Sequence, residues 1–235
     1  MSTEEPLESA HPVHPRQVEK AVKLSYAQAV LSAFFGASAG FVTAYFLKLG
    51  ATNEQIGLLS SLPMYAVFFQ LMAAVMVERG ACRKRMTVIG SLASVCCWGL
   101  VIALPFVLSN ASGATIISSL IGVFVLMSVF GQIAGNARAS WIGDLIPPDR
   151  MGTFFGKLVV YGGVIGSVLA IVQGRFLDYM QDAGLAAFGW VFAFGMVFGI
   201  ANAVLFVPQA DVPAVPHSLS LKGLVRQTFR NKALM

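Results

Sequence analysis

Charge is scarce in this sequence. Only 11% of the 235 residues are Asp, Glu, Lys or Arg, whereas a domain surrounded by water carries roughly a quarter, so water is excluded as the only solvent. Histidine is just as thinly used. His11, His14 and His217 lie toward the two ends, no acid, base and nucleophile converge within an apolar stretch, and an intramembrane enzyme is therefore disfavoured. The three cysteines, Cys82, Cys96 and Cys97, lack the spacing of a zinc site or a disulfide framework and are expected to be reduced packing residues. No metal site or cofactor is expected. The opening stretch holds Glu4, Glu5, Glu8 and three prolines and lacks the basic region and short apolar core of a cleavable signal peptide. Residues 1–23 are accordingly expected to be a disordered cytoplasmic tail. The net charge of +5 comes without a continuous basic stripe, so nucleic acid is not an expected partner.

What the sequence does have is hydrophobicity in long blocks. Hydrophobic residues make up 57% of the chain, in runs from about Leu24 to Leu47, Ile56 to Val77, Met86 to Leu108, Ala114 to Ala137, Leu158 to Phe176 and Ala187 to Val207. Each run is about the length a helix needs to cross ~30 Å of hydrocarbon. Inside a bilayer every backbone amide must be satisfied within its own segment or by barrel closure, and long runs rich in Leu, Ala, Phe and Gly favour helices. The expected fold class is all-α: a polytopic membrane bundle of six transmembrane helices over 24–208, with the lipid bilayer as its surroundings. Thr52 and Gln55 read as a capping box before the second run, and Asp149 after Pro147 and Pro148 as a cap for the fifth. Pro63 sits inside the second run, where a membrane helix tolerates a kink if a neighbouring group satisfies the freed carbonyl.

The cations define an orientation. Fourteen of the sixteen Lys and Arg fall in the first tail, the second and fourth loops and the last segment, and only Lys48 and Arg175 fall on the other side. Lys and Arg near span ends mark the cytoplasmic face, so both termini are expected there, in an inner or plasma membrane. Small residues recur at four-residue spacing, as in Gly36 and Gly40, Gly131 and Gly135, Gly162 and Gly166, and Gly195 and Gly199. Such stripes let helices approach closely in lipid, and packing inside one bundle is the expected use.

Two junctions carry a family resemblance. Ala74 to Arg85 places Glu78 and Arg79 ahead of the basic cluster Arg83, Lys84 and Arg85. It resembles the signature loop between helices two and three of the major facilitator superfamily, although Ala74 and Ala81 stand where that pattern has glycine and Glu78 stands for its Asp. Gly135 to Gly156, with Arg138, Trp141, Asp144, Pro147, Pro148 and Arg150, is similar to the junction between helices four and five of the same superfamily. The resemblance implies the amino-terminal six-helix half of a transporter with a 3+3 inverted repeat. It also implies secondary active or facilitative movement of a small solute by alternating access, and a second six-helix bundle as partner, missing from this chain or supplied by another. The cytoplasmic linker is expected over 209–235, with Leu221, Leu224, Val225 and Phe229 opposite Lys222, Arg226 and Arg230 on a basic amphipathic helix.

In that superfamily helices one, two, four and five line a central cavity near the midplane. The polar residues that would line it here are Gln28, Ser32, Tyr45, Tyr65, Gln70, Gln132, Asn136 and Gln173. Neutral groups of this kind suit an uncharged or weakly charged solute. No Asp, Glu, Lys or His lies deep in a span, so this half shows no proton-coupling carboxylate of its own. At the cytoplasmic ends, Glu78, Arg79, Arg83, Arg138, Asp144 and Arg150 are expected to form a gating charge network. Glu78 ends its helix, where the macrodipole disfavours an anion, and Arg138 or Arg150 is its expected partner. The competing reading is a membrane sensor or scaffold without transport, which needs the six spans but no hydrated cavity.

Overall fold

The computed structural model describes residues 15–211, and every described segment with regular structure is helical. The acidic start of the expected tail and the expected amphipathic helix lie outside the described residues. The elements are α1 (Pro15–Ala39), α2 (Val42–Lys48), α3 (Asn53–Tyr65), α4 (Phe68–Glu78), α5 (Arg83–Val107), α6 (Gly113–Leu145), α7 (Pro148–Tyr179), a short 3-10 turn (Gln181–Ala183) and α8 (Leu185–Val204). They make six helices long and apolar enough to cross a membrane: Arg16–Lys48, Asn53–Glu78, Arg83–Val107, Gly113–Leu145, Pro148–Tyr179 and Leu185–Val204.

Two spans are broken. The first bends between α1 and α2, where the Phe41 N–H donates to Ser38 O (3.2 Å), only three residues back. The second bends just after Pro63, where Val67 donates to Met64 O (3.2 Å) and Gln70 to Val67 O (2.9 Å). That switch leaves the Pro63 carbonyl outside the helical ladder, and Gln132 Nε2 of the fourth span donates to it at 2.9 Å. The kink at Pro63 is thus stabilised from a neighbouring helix, as lipid requires.

Helix ends explain most boundary differences from the sequence reading. The Thr52 and Gln55 box is present in both directions. Asp149, by contrast, does not cap α7: Pro147 is the cap residue, Pro148 opens the helix, and Asp149 sits in the first turn with no capping bond. Its carboxylate there faces the positive end of the dipole instead. Hydrophobicity ends before the helices do, so α1 begins at Pro15, α6 runs on to Leu145 and α7 starts at Pro148. Arg138, expected in a loop, therefore lies inside the fourth helix.

The first, second, fourth and fifth spans, which line the grooves of the bundle, are its front row, and the third and sixth are the back row. The first span lies against the fifth and the sixth, the fourth against the second and the third, and the third against the sixth. The main core, around Trp98, Val101, Phe46, Leu120 and Phe192, joins the first, second, third, fourth and sixth spans. A smaller cluster of Ala21, Trp141, Leu145 and Phe206 closes the opposite end. One of the small-residue stripes marks a close approach. A Cβ on Gly195 would stand 2.5 Å from Ser38 Cβ, and one on Gly199 would stand 2.9 Å from Phe35 Cδ2. Gly36 and Gly135 face open space instead.

Candidate functional site

The front row presents two depressions on either side of the first and fourth spans. The larger is a groove of about 860 Å³ between α1, α6 and α7, walled by small residues such as Ala33, Gly36, Gly135, Gly162 and Gly166. Its polar side chains are Ser32, Ser167 and Arg138. The second is a pocket of about 470 Å³ reached from α2, α3, α5 and α6, with Thr43, Ser60, Ser94, Ser128 and Gln132 around the Trp98 ring. At the end of the bundle that carries Arg83, a further depression holds Arg16, Glu19, Asp149, Arg150 and Lys157 and shares Phe154 with the groove.

The predicted cavity residues divide by what they touch. Gln28 is fully buried, and its Oε1 accepts from Gln209 Nε2 (3.0 Å) while its Nε2 donates to Asn202 O (3.4 Å). Tyr45 is buried beside Phe188 and Phe192 and donates to Val101 O at 3.1 Å. Gln173 donates to Ser38 Oγ at 3.0 Å. These three stitch helices together. Gln70 and Gln132 are hydrogen-bonded to each other, with Gln132 also holding Pro63. Tyr65 is exposed, and Asn136 is half-buried one turn beyond Gln132. Ser32, one turn beyond Gln28, opens into the groove.

The charge network takes a different form from the expected one. Among the described residues Glu78 has no ion pair within 4 Å, and Arg150 approaches only its neighbour Asp149 (3.8 Å), both well exposed. The bond between the two junctions is instead Arg83 Nη1 to Asp144 Oδ2, at 2.6 Å. The same guanidinium reaches Ser140 O (3.1 Å) and Ser140 Oγ (2.9 Å). Arg83 is 3% exposed and Asp144 45% exposed, so the pair ties the first turn of α5 to the last turns of α6 from a half-wet position. Glu78 and Arg79 are exposed at the adjacent helix end.

No family model, curated protein or solved structure matches this chain. The sequence reading missed the segment after α8, which folds back over the bundle end. Trp141 Nε1 donates to Ala210 O (3.0 Å), Lys84 Nζ to Gln209 O (2.8 Å), and Cys82 Sγ lies 3.3 Å from Asp211 Oδ2. Phe206, 1% exposed, lies under the Arg138 guanidinium at 5.2 Å. A lone Gln past the end of an apolar run gives no periodic signal, so nothing in the sequence announced this docking.

Proposed function

We propose that this chain is one six-helix bundle of a major-facilitator-type transporter, moving a small solute by alternating access with a second bundle packed against its front row. The observation that carries the reading is the pairing of the helices. Exchange the first three spans for the last three, and the contact of one with five becomes four with two, one with six becomes four with three, and three with six maps onto itself. A 3+3 repeat requires that pattern, and a bundle without internal symmetry has no reason to adopt it. The Arg83 and Asp144 pair supports the reading further, because it joins the two junctions that carry the family resemblance.

The exposed surfaces fit a half-transporter. The second and fifth spans flank the grooves and carry exposed Met64, Phe68, Leu71, Val164, Val168 and Ile171, apolar surface suited to lipid or another bundle. With Arg79, Arg83, Arg138 and Arg150 at one end, the positive-inside rule puts that end, and with it both termini, in the cytoplasm. Arg83 and Asp144 would then latch one state of a rocking bundle from the cytoplasmic side.

Cysteine accessibility separates a transporter half from a sensor or scaffold. In a background with Cys82, Cys96 and Cys97 replaced by serine, Ser32→Cys and Ser167→Cys are placed in the groove and exposed to a charged methanethiosulfonate in membrane vesicles. A water-filled path predicts labelling at both positions, with rates that change when the latch is broken by Asp144→Asn. Complete protection of both, in vesicles of either orientation, refutes the transport reading.

A further inference from the structure

Arg138 is the one cation that the front groove contains, and its surroundings are wrong for a structural arginine. It sits inside α6, seven residues before the helix ends at Leu145, which is about 10 Å of helical rise from that end. Around it the groove offers Gly135, Ala139 and Ile142 from its own helix and Phe154 and Leu158 from α7. Among the described residues it has no ion pair, and the carboxylate nearest along its helix, Asp144, is held by Arg83. The contact that positions it is the face of Phe206 at 5.2 Å. An aromatic face attracts the charge but accepts none of the five N–H donors.

An arginine on an apolar groove wall normally pairs with another group, because an uncompensated charge in low dielectric is costly. The neighbouring hydroxyls, Ser32 and Ser167, are dipoles and neutralise nothing. Planar donors, an aromatic ring 5.2 Å from the guanidinium carbon and a wall of small residues together make a receptor for a carboxylate or phosphate attached to an apolar body. We infer that the groove between α1, α6 and α7 binds an organic anion, with Arg138 taking its charged group. This rests on the proposed function and narrows its solute class, departing from the uncharged solute that the neutral polar residues suggested. The same chemistry is carried by a free organic acid and by an anionic lipid headgroup.

The test uses the full chain in nanodiscs of zwitterionic phosphatidylcholine and measures equilibrium binding of three probes of one shape: 2-naphthoate, 2-naphthalenemethanol and 2-naphthylmethylammonium. Saturable binding of naphthoate alone is expected, weakened more than about tenfold by Arg138→Gln, since removing one partner of a desolvated charge pair costs at least that much. Arg138→Lys keeps the charge and retains part of the binding. Gly163→Leu fills a position with nothing within 4 Å in the same groove and abolishes binding with the arginine untouched. Nanodiscs containing phosphatidylglycerol distinguish the sources: loss of naphthoate binding there assigns the site to a lipid headgroup, and unchanged binding assigns it to a solute. The inference is overturned if naphthoate binds Arg138→Gln as tightly as the parent, if the ammonium probe binds as well as the carboxylate, or if no saturable anion binding occurs in zwitterionic lipid. Transport can fail with anion binding intact, which would sink the transporter reading and leave this one standing.

Discussion

Substituting Gly195 by alanine tests the contact between the first and sixth spans. The new Cβ would lie 2.5 Å from Ser38 Cβ and 2.6 Å from Ser38 Oγ, whereas carbon atoms in contact sit about 3.5–4.0 Å apart. Rotating Ser38 does not relieve this, since its Cβ is fixed by the backbone, so α1 and α8 must separate by about 1 Å. Overpacking of this kind costs about 1–3 kcal/mol. Ser38 also accepts from Gln173 at 3.0 Å, and the loss of such an interhelical bond adds about 0.6 kcal/mol. The expected total is about 2–3 kcal/mol. Gly36→Ala is the control, because nothing lies within 4 Å of its Cβ position, and it should stay within about 0.5 kcal/mol of the parent. Unfolding by SDS in mixed micelles, followed through the fluorescence of buried Trp98, reads the difference. Adding Ser38→Gly to Gly195→Ala removes the colliding atoms, and the two changes should couple by about 1–2 kcal/mol. Equal midpoints for the Gly195 and Gly36 variants, or simple additivity with Ser38→Gly, would refute the packing argument.

The remaining predictions use the same assay. Asp144→Asn should destabilise by about 1–2 kcal/mol, less than the loss of a fully buried pair, because Asp144 is 45% exposed and Arg83 keeps Ser140; no change would mean the pair is absent in the membrane. Gln132→Leu removes the bond to the Pro63 carbonyl and the one to Gln70, and should cost about 1 kcal/mol, with most of it coupled to Gln70 in a double-mutant cycle. Tyr45→Phe leaves the Val101 carbonyl without its 3.1 Å donor and should cost about 0.6–1.7 kcal/mol. Thr52→Ala removes the capping box and should cost about 1 kcal/mol, whereas Ser112→Gly, at the N-cap of α6, should cost only about a few tenths of that, since glycine is tolerated at a cap.

The six helices were readable because the bilayer imposes a length and an apolar composition on each, and 20-residue hydrophobic runs satisfy few other environments. The Thr52 cap was readable because it needs only neighbours in sequence, and the Pro63 kink because the ring itself breaks the helical ladder, though its partner Gln132 was not. Boundaries drifted where a helix continues past its apolar run, as α6 does from Ala137 to Leu145, because hydropathy records the solvent and hydrogen bonds define the helix. That drift hid the position of Arg138. Of the expected charge network only Arg83 and Asp144 pair with each other, since the candidates are equivalent in sequence until the packing of α5 on α6 chooses among them. Small-residue spacing could not distinguish the stripe that packs, Gly195 with Gly199, from the one that faces a groove, Gly36 with Gly40. Both look alike along a single helix.

The central claim is that six helices cross a bilayer with their cations on one side. Labelling of single cysteines in intact cells tests it most directly, with Cys96 and Cys97 replaced by serine, using native Cys82 at one bundle end and Ser112→Cys or Ala183→Cys, with Cys82 also replaced, at the other. The account predicts that an impermeant maleimide reaches positions 112 and 183 from outside and reaches Cys82 only after the membrane is opened. Labelling of Cys82 in intact cells, or of 112 and 183 only after permeabilisation, would contradict it.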